Sequence, residues 1–241
     1  MQALNCPNCG AALPAHAAKL NVVTCEFCNT TFRVPRSFTP EPDMGDLLLS
    51  ADFSKKPMPG WGLLNEANTM LIGGNPACIR AQFDAQTGVY DILATSGLYD
   101  NLDASVTMTF LEGNVEYVRA GMFLRYQAKV GGYGFLVSAQ CSYKMGFYEA
   151  KEDGSLTWKD IIPWTSHTAL RAGLNQSNRL RVLANGDRLR VYLNGVMATS
   201  IKHDKFDVGK VTVSVEPCKE SNITVAFSDL QLREVIRVHF I

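Results

Sequence analysis

Two cysteine pairs near the N-terminus constrain this chain more than any other feature. Cys6 and Cys9 stand in CPNCG, and Cys25 and Cys28 in CEFCN, a C-x2-C-x15-C-x2-C spacing. That spacing suits a four-thiolate metal site. Four thiolates complete a tetrahedral shell and leave no open position for a substrate, so the expected metal is structural, zinc ahead of iron. A module of about 36 residues cannot bury enough core to fold without such a clip. The residue after the second cysteine of each pair has to adopt positive φ, and Gly10 and Asn29 tolerate it. Phe27, Phe32, Val22, Val23 and Val34 are expected to cover one face of this module.

Beyond the clip the composition changes. Seven of the ten prolines lie in the first 60 residues, three of them in RVPRSFTPEPDMGD. Proline favours extended backbone and lacks a donor, so a semi-stiff linker is expected at 37–47, between a module at 1–36 and a domain at 48–241. That domain is a series of short alternating runs: ASVTMTF, NRLRVLAN, RLRVYLN, KVTVSVE and NITVAF. Period two predicts half-buried strands. Gly186-Asp187 and Asn194-Gly195 predict tight hairpin turns between them. MFLRYQAK and YGFLVSAQ are apolar on both faces and suit the middle of a sandwich. GGYG at 131–134 reads as a bend between strands. The fold class expected is all-β: a small metal module plus an antiparallel two-sheet sandwich of jelly-roll type.

The two parts each resemble a known family. Residues 1–36 resemble a zinc ribbon. DFSKKPMPGW, GVYDI, AGMFLRY, GGYGFLVS, NRLRVLANGDRLRVYLNGV and ITVAFSDLQL follow one another as in the concanavalin A-like jelly roll, in its laminin-G-like or family-16-glycoside-hydrolase-like branch, common in bacterial multidomain proteins. The resemblance spans roughly 48 to 235. It implies a binding or interaction module, with hydrolases among the relatives.

The residues argue against chemistry. Family-16 hydrolases carry E-x-D-x-E on one strand, and EGNVE at 112–116 offers Glu112 and Glu116 at that spacing. Asn114 replaces the aspartate, however, and Gly113-Asn114 predicts a turn that separates the two glutamates. The histidines, His16, His167, His203 and His239, have neither metal nor triad spacing. A sugar would stack on aromatic rings, for which Tyr143, Tyr148, Trp158 and Trp164 are candidates, with Arg125 as a polar anchor. Burial in the core is the favoured expectation for each of these aromatics.

Formal net charge is zero, which disfavours a nucleic-acid surface and leaves little repulsion between copies. No apolar run reaches the ~20 residues that span a bilayer. MQALNCPNC lacks the basic and apolar regions of a leader, and Cys78, Cys141 and Cys218 make the cysteine count odd, so a reducing, cytoplasmic setting is expected. The terminal REVIRVHFI alternates and is expected to pair with a sheet edge in this copy or a neighbour. The favoured expectation is a non-catalytic subunit or adaptor with a protein partner or self-association. The alternatives are a carbohydrate-binding module or a degenerate glycoside hydrolase.

Overall fold

The computed structural model describes residues 6, 8–14, 22–33 and 45–235. Contacts divide the chain into two compact units, Met1–Pro42 and Asp43–Ile241. In the first, β1 (Val22–Thr24) pairs antiparallel with β2 (Thr31–Arg33). Cys6, Leu13, Val23 and Cys25 are its buried residues, with Ala11 and Cys28 packed against them. Phe27 does not share in this core: it is 75% exposed, because the short turn between Cys25 and Cys28 carries its ring outward. Val34 and His16 lie outside the described residues, as do 236–241.

The second unit is a two-sheet antiparallel sandwich. Its strands are β3 (Leu47–Ser50), β4 (Trp61–Leu63), β5 (Thr69–Ile72), β6 (Cys78–Phe83), β7 (Tyr90–Thr95), β8 (Leu102–Gly113), β9 (Arg119–Gln127), β10 (Gly131–Ser138), β11 (Ser142–Ala150), β12 (Leu156–Ser166), β13 (Ser177–Asn185), β14 (Arg188–Leu193), β15 (Val196–Lys202), β16 (Lys210–Glu216) and β17 (Ile223–Arg233). One sheet has seven strands in the order β12-β11-β10-β9-β16-β7-β4. The other has eight, β15-β14-β13-β8-β17-β6-β5, with β3 also paired to β17. Among the described residues there is no α-helix, only a 3-10 turn at Glu66–Asn68, and no helix is long and apolar enough to cross a membrane.

Alternation explains the core. Val211, Val213 and Val215 of β16, Ala120, Met122 and Leu124 of β9, and Tyr133, Phe135 and Val137 of β10 point toward Val106, Met108, Val182 and Val225 of the other sheet. Both expected hairpins form. Asn194 and Gly195 both have positive φ, as a two-residue turn requires, and Gly186 does as well. Pro163 sits in β12 at the edge of the seven-stranded sheet, where a missing donor costs no ladder bond, beside a register shift.

Candidate functional site

Both cysteine pairs of the first unit build the same knuckle. Gly10 N–H donates to Cys6 carbonyl at 2.9 Å and Asn29 N–H to Cys25 carbonyl at 2.9 Å, while Cys6 N–H reaches Ala11 and Cys25 N–H reaches Thr30. Gly10 and Asn29 take φ of 73° and 54°, which closes each turn. The four sulfurs lie within 4.8 Å of one another. Cys6 Sγ is 3.6 Å from Cys28 Sγ, and Cys9 Sγ is 3.7 Å from Cys25 Sγ. A tetrahedron with metal–sulfur arms of about 2.3 Å has edges of about 3.8 Å, so the cage fits a metal ion. Thr30, through a hydroxyl 3.3 Å from Cys28 Sγ and through its backbone, holds the Cys28 thiol down to about 6, while against the Ala11 backbone bond the Cys28 sulfur pushes Cys9 up to about 12.

In the sandwich, the outer face of the seven-stranded sheet carries the second cluster. β11 turns Lys144, Gly146 and Tyr148 outward, β10 turns Gly132, Gly134 and Leu136, β9 turns Arg119, Gly121 and Phe123, and β16 turns Thr212, Ser214 and Glu216. Trp158 and Trp164 join them from β12. The glycines make room for the rings. A Cβ on Gly134 would come 2.5 Å from Phe123 and 2.7 Å from Trp158, and one on Gly146 would come 2.5 Å from Trp158. The rings therefore occupy the space that side chains would fill. Phe123 stacks on Tyr148 with centroids 5.8 Å apart and meets Trp158 edge-on at 6.3 Å. Trp158 also meets Tyr148 edge-on at 5.1 Å, and its indole N–H donates to Asp160 at 2.5 Å.

Charge lies beside this aromatic floor. Lys144 Nζ is 4.7 Å from the Trp158 ring centre and 5.2 Å from that of Trp164, and the Arg119 guanidinium is 5.2 Å from that of Trp164. Both cations face Glu216, at 3.7 Å for Lys144 and 3.9 Å for Arg119. Further along, Asp91 of β7 accepts hydrogen bonds from Ser214 at 2.6 Å and Thr212 at 2.9 Å. Burial still pushes its carboxyl above the ordinary range. Burial pushes Tyr148 up to about 12, helped by Glu216, Tyr126 and Asp91, and raises Tyr126 as well.

Trp158, Trp164 and Tyr148 thus come together on one face, but two of the sequence candidates do not join them. Arg125 is 1% exposed and donates to three carbonyls: Asp100 at 2.9 Å, Phe206 at 2.9 Å and Gly186 at 2.9 Å. Alternation would set it outward beside Phe123. Its φ of 53° at an irregularity in β9 turns it inward instead, and Tyr126 takes the outward place. Tyr143 shares the inward parity of Met145 and Phe147, so it packs in the core, edge-on to His167 at 6.1 Å. The sequence reading missed Phe123, Lys144, Arg119, Glu216 and Asp91. The signal for the floor was there: GGYG is not a bend but the start of β10, and its Gly134, with Gly146, marks strand positions emptied for rings.

The remaining motifs carry no constellation. Glu112 ends β8 and accepts from Thr224 at 2.9 Å. Glu116 lies in the turn that carries the chain from the eight-stranded sheet into the seven-stranded one, where its N–H caps on Asn114 Oδ1 at 3.0 Å. The turn is therefore a crossing between sheets, not a hairpin. His203 bonds the Tyr133 hydroxyl at 2.8 Å as part of a packed loop. His239 and the alternating tail at 236–241 lie outside the described residues.

No family model matches the chain, and a search of the curated proteins finds no match. Solved structures do share its fold. The carbohydrate-binding module CBM66 from Bacillus subtilis matches at 18% identity and TM-score 0.53, over 74% of this chain and 98% of its own. A protein of unknown function with a galectin-like fold, also from Bacillus subtilis, matches at 8% identity and TM-score 0.57, over 80% of this chain and 97% of its own. A family 16 endo-glucanase from Bacteroides ovatus matches at 6% identity and TM-score 0.55, over 76% of this chain and 100% of its own. At such identities the likeness is one of fold: a galectin-like, jelly-roll β-sandwich.

Proposed function

We propose that this is a non-catalytic binding protein: a carbohydrate-binding sandwich joined by a proline-rich linker to a zinc ribbon. The observation that supports the sugar reading is the half-buried cluster of Tyr148, Trp158 and Trp164, packed over the buried Phe123 ring and glycine-bearing strands, with Lys144, Arg119, Glu216 and Asp91 at its margin. Sugars bind by stacking their apolar ring faces on aromatics while charged and hydroxyl groups fix orientation. The fold neighbours include a carbohydrate-binding module and a glycoside hydrolase, which is consistent with this reading. Glu112 lies in β8 and Glu116 in the turn beyond it, not together on one strand, which supports the absence of a retaining carboxyl pair. In the first unit, Cys6, Cys9, Cys25 and Cys28 supply four thiolates to one metal, and zinc is the ion whose tetrahedral preference they meet.

Calorimetric titration of the whole chain against neutral and acidic soluble glycans tests the sugar reading. Binding should fall about tenfold or more in Trp158→Ala and Trp164→Ala. Binding to no glycan, or binding indifferent to both substitutions, would sink it. Reducing ends released by the native chain and lost in Glu116→Gln would replace binding with hydrolysis. Metal analysis should find about one zinc per chain.

A further inference from the structure

We infer that the glycan taken by this face carries a carboxylate, so that the ligand is a uronic acid chain rather than a neutral one. This rests on the carbohydrate reading above and narrows it. Several charged groups of this face make no hydrogen bond. Lys144 is largely covered, its side chain 12% exposed, and Arg119 is 30% exposed. Among the described residues neither donates a hydrogen bond. Their one acidic neighbour, Glu216, stands 3.7 and 3.9 Å away, beyond hydrogen-bond length, and its Oε2 is buried without a hydrogen-bond partner. The other carboxylates of the face are engaged. Asp91 accepts from Thr212 and Ser214, and Asp160 accepts the Trp158 indole N–H.

The groups without a hydrogen bond therefore include two cations that share one ion-pair partner, Glu216. Both keep donors for a further acceptor. Charge-assisted bonds from Arg and Lys are made for a carboxylate. A uronate stacked beside Trp158 and Trp164 would bring its carboxylate between Arg119 and Lys144. Neutral sugars match the floor but not the two cations.

The test uses the full chain with de-esterified polygalacturonate, the same polymer fully methyl-esterified, a neutral β-glucan, and poly-L-glutamate. The de-esterified chain should bind at least about tenfold tighter than the esterified one, and the preference should shrink as salt rises. Lys144→Met and Arg119→Gln should each remove most of that preference while thermal unfolding stays unchanged. The esterification comparison needs no variant, so it stands even if a substituted chain fails to fold. Equal binding to esterified, neutral and acidic glycans would overturn this inference and leave the carbohydrate reading intact. Poly-L-glutamate binding as tightly as polygalacturonate would also overturn it, because the face would then read charge without a ring. No binding to any glycan would remove both.

Discussion

Strand β9 carries one arginine at its start and another near its end, and the two behave as opposites. Arg125, near its end, is buried and gives its guanidinium to carbonyls of three separate connections, around Asp100, Gly186 and Phe206. Gly209 lets the backbone close against it, since any Cβ there would run into the Arg125 carbonyl group. Arg119, at the start, has an indole beside it and a carboxylate beyond hydrogen-bond reach. One cation is fully answered by the protein and belongs to the frame. The other is answered only in part and belongs, on the reading proposed above, to the face that meets the ligand. The number of unmet hydrogen bonds, more than residue type, separates frame from site.

The sharpest way to break this contrast is at Arg125. Arg125→Met removes five donors and leaves three carbonyls without their partner, each costing about 1–3 kcal/mol. We expect a loss of roughly 3–6 kcal/mol in chemical denaturation, a fall of about 10–20 °C in Tm, and unchanged glycan affinity in the fraction that remains folded. Arg119→Gln should do the reverse, shifting stability by no more than about 0.5 kcal/mol. If both substitutions destabilised equally, the division of β9 into frame and site would be wrong.

A smaller effect is expected at the glycine floor. Gly134→Ala drives a methyl group into Phe123 and Trp158, and overpacking of this kind costs about 1–3 kcal/mol. Tryptophan fluorescence should shift with it, and glycan affinity should fall, because the rings are lifted. Stability lost without change in fluorescence would place the strain elsewhere.

The smallest effect concerns pH. Burial raises the Asp91 carboxyl above its unfolded value, against the pull of Ser214 and Thr212. The native state then holds this proton more tightly than the unfolded one. Its contribution to stability is present below the unfolded carboxylate range and is lost as pH rises through the folded value. Asn cannot titrate, so the Tm of Asp91→Asn relative to the native chain should increase as pH rises above the ordinary carboxylate range. A difference that stays flat or runs the other way would show that Asp91 is stabilised as an anion.

Much of the framework was legible beforehand. The cysteine spacing, Gly10 and Asn29 announced the knuckles, and alternation with Asn194-Gly195 announced strands and turns. Site membership was readable only as far as parity held. Trp158 and Trp164 keep one parity through two irregularities in the pairing of β12 and stay on the outer face with Tyr148 of β11. Arg125 loses it at a single residue of positive φ, which no propensity marks in MFLRYQ. Lys144 and Glu216 stand on strands three places apart in the sheet, so nothing in their sequence separation suggests that they meet. Phe27 was misplaced because hydrophobicity alone does not say which side of a three-residue turn is inside.

The outward floor and the inward core share strands β9 to β11, one residue apart: Phe123 beside Met122, Leu136 beside Phe135, Lys144 beside Tyr143. Evolution can therefore retune what this surface holds by exchange of single side chains. It cannot do so by adding or removing a residue in those strands, since every position beyond the change would trade interior for exterior. On the reading proposed above, the binding face of this sandwich is open to spelling changes and closed to edits in length, the opposite of a site carried on loops.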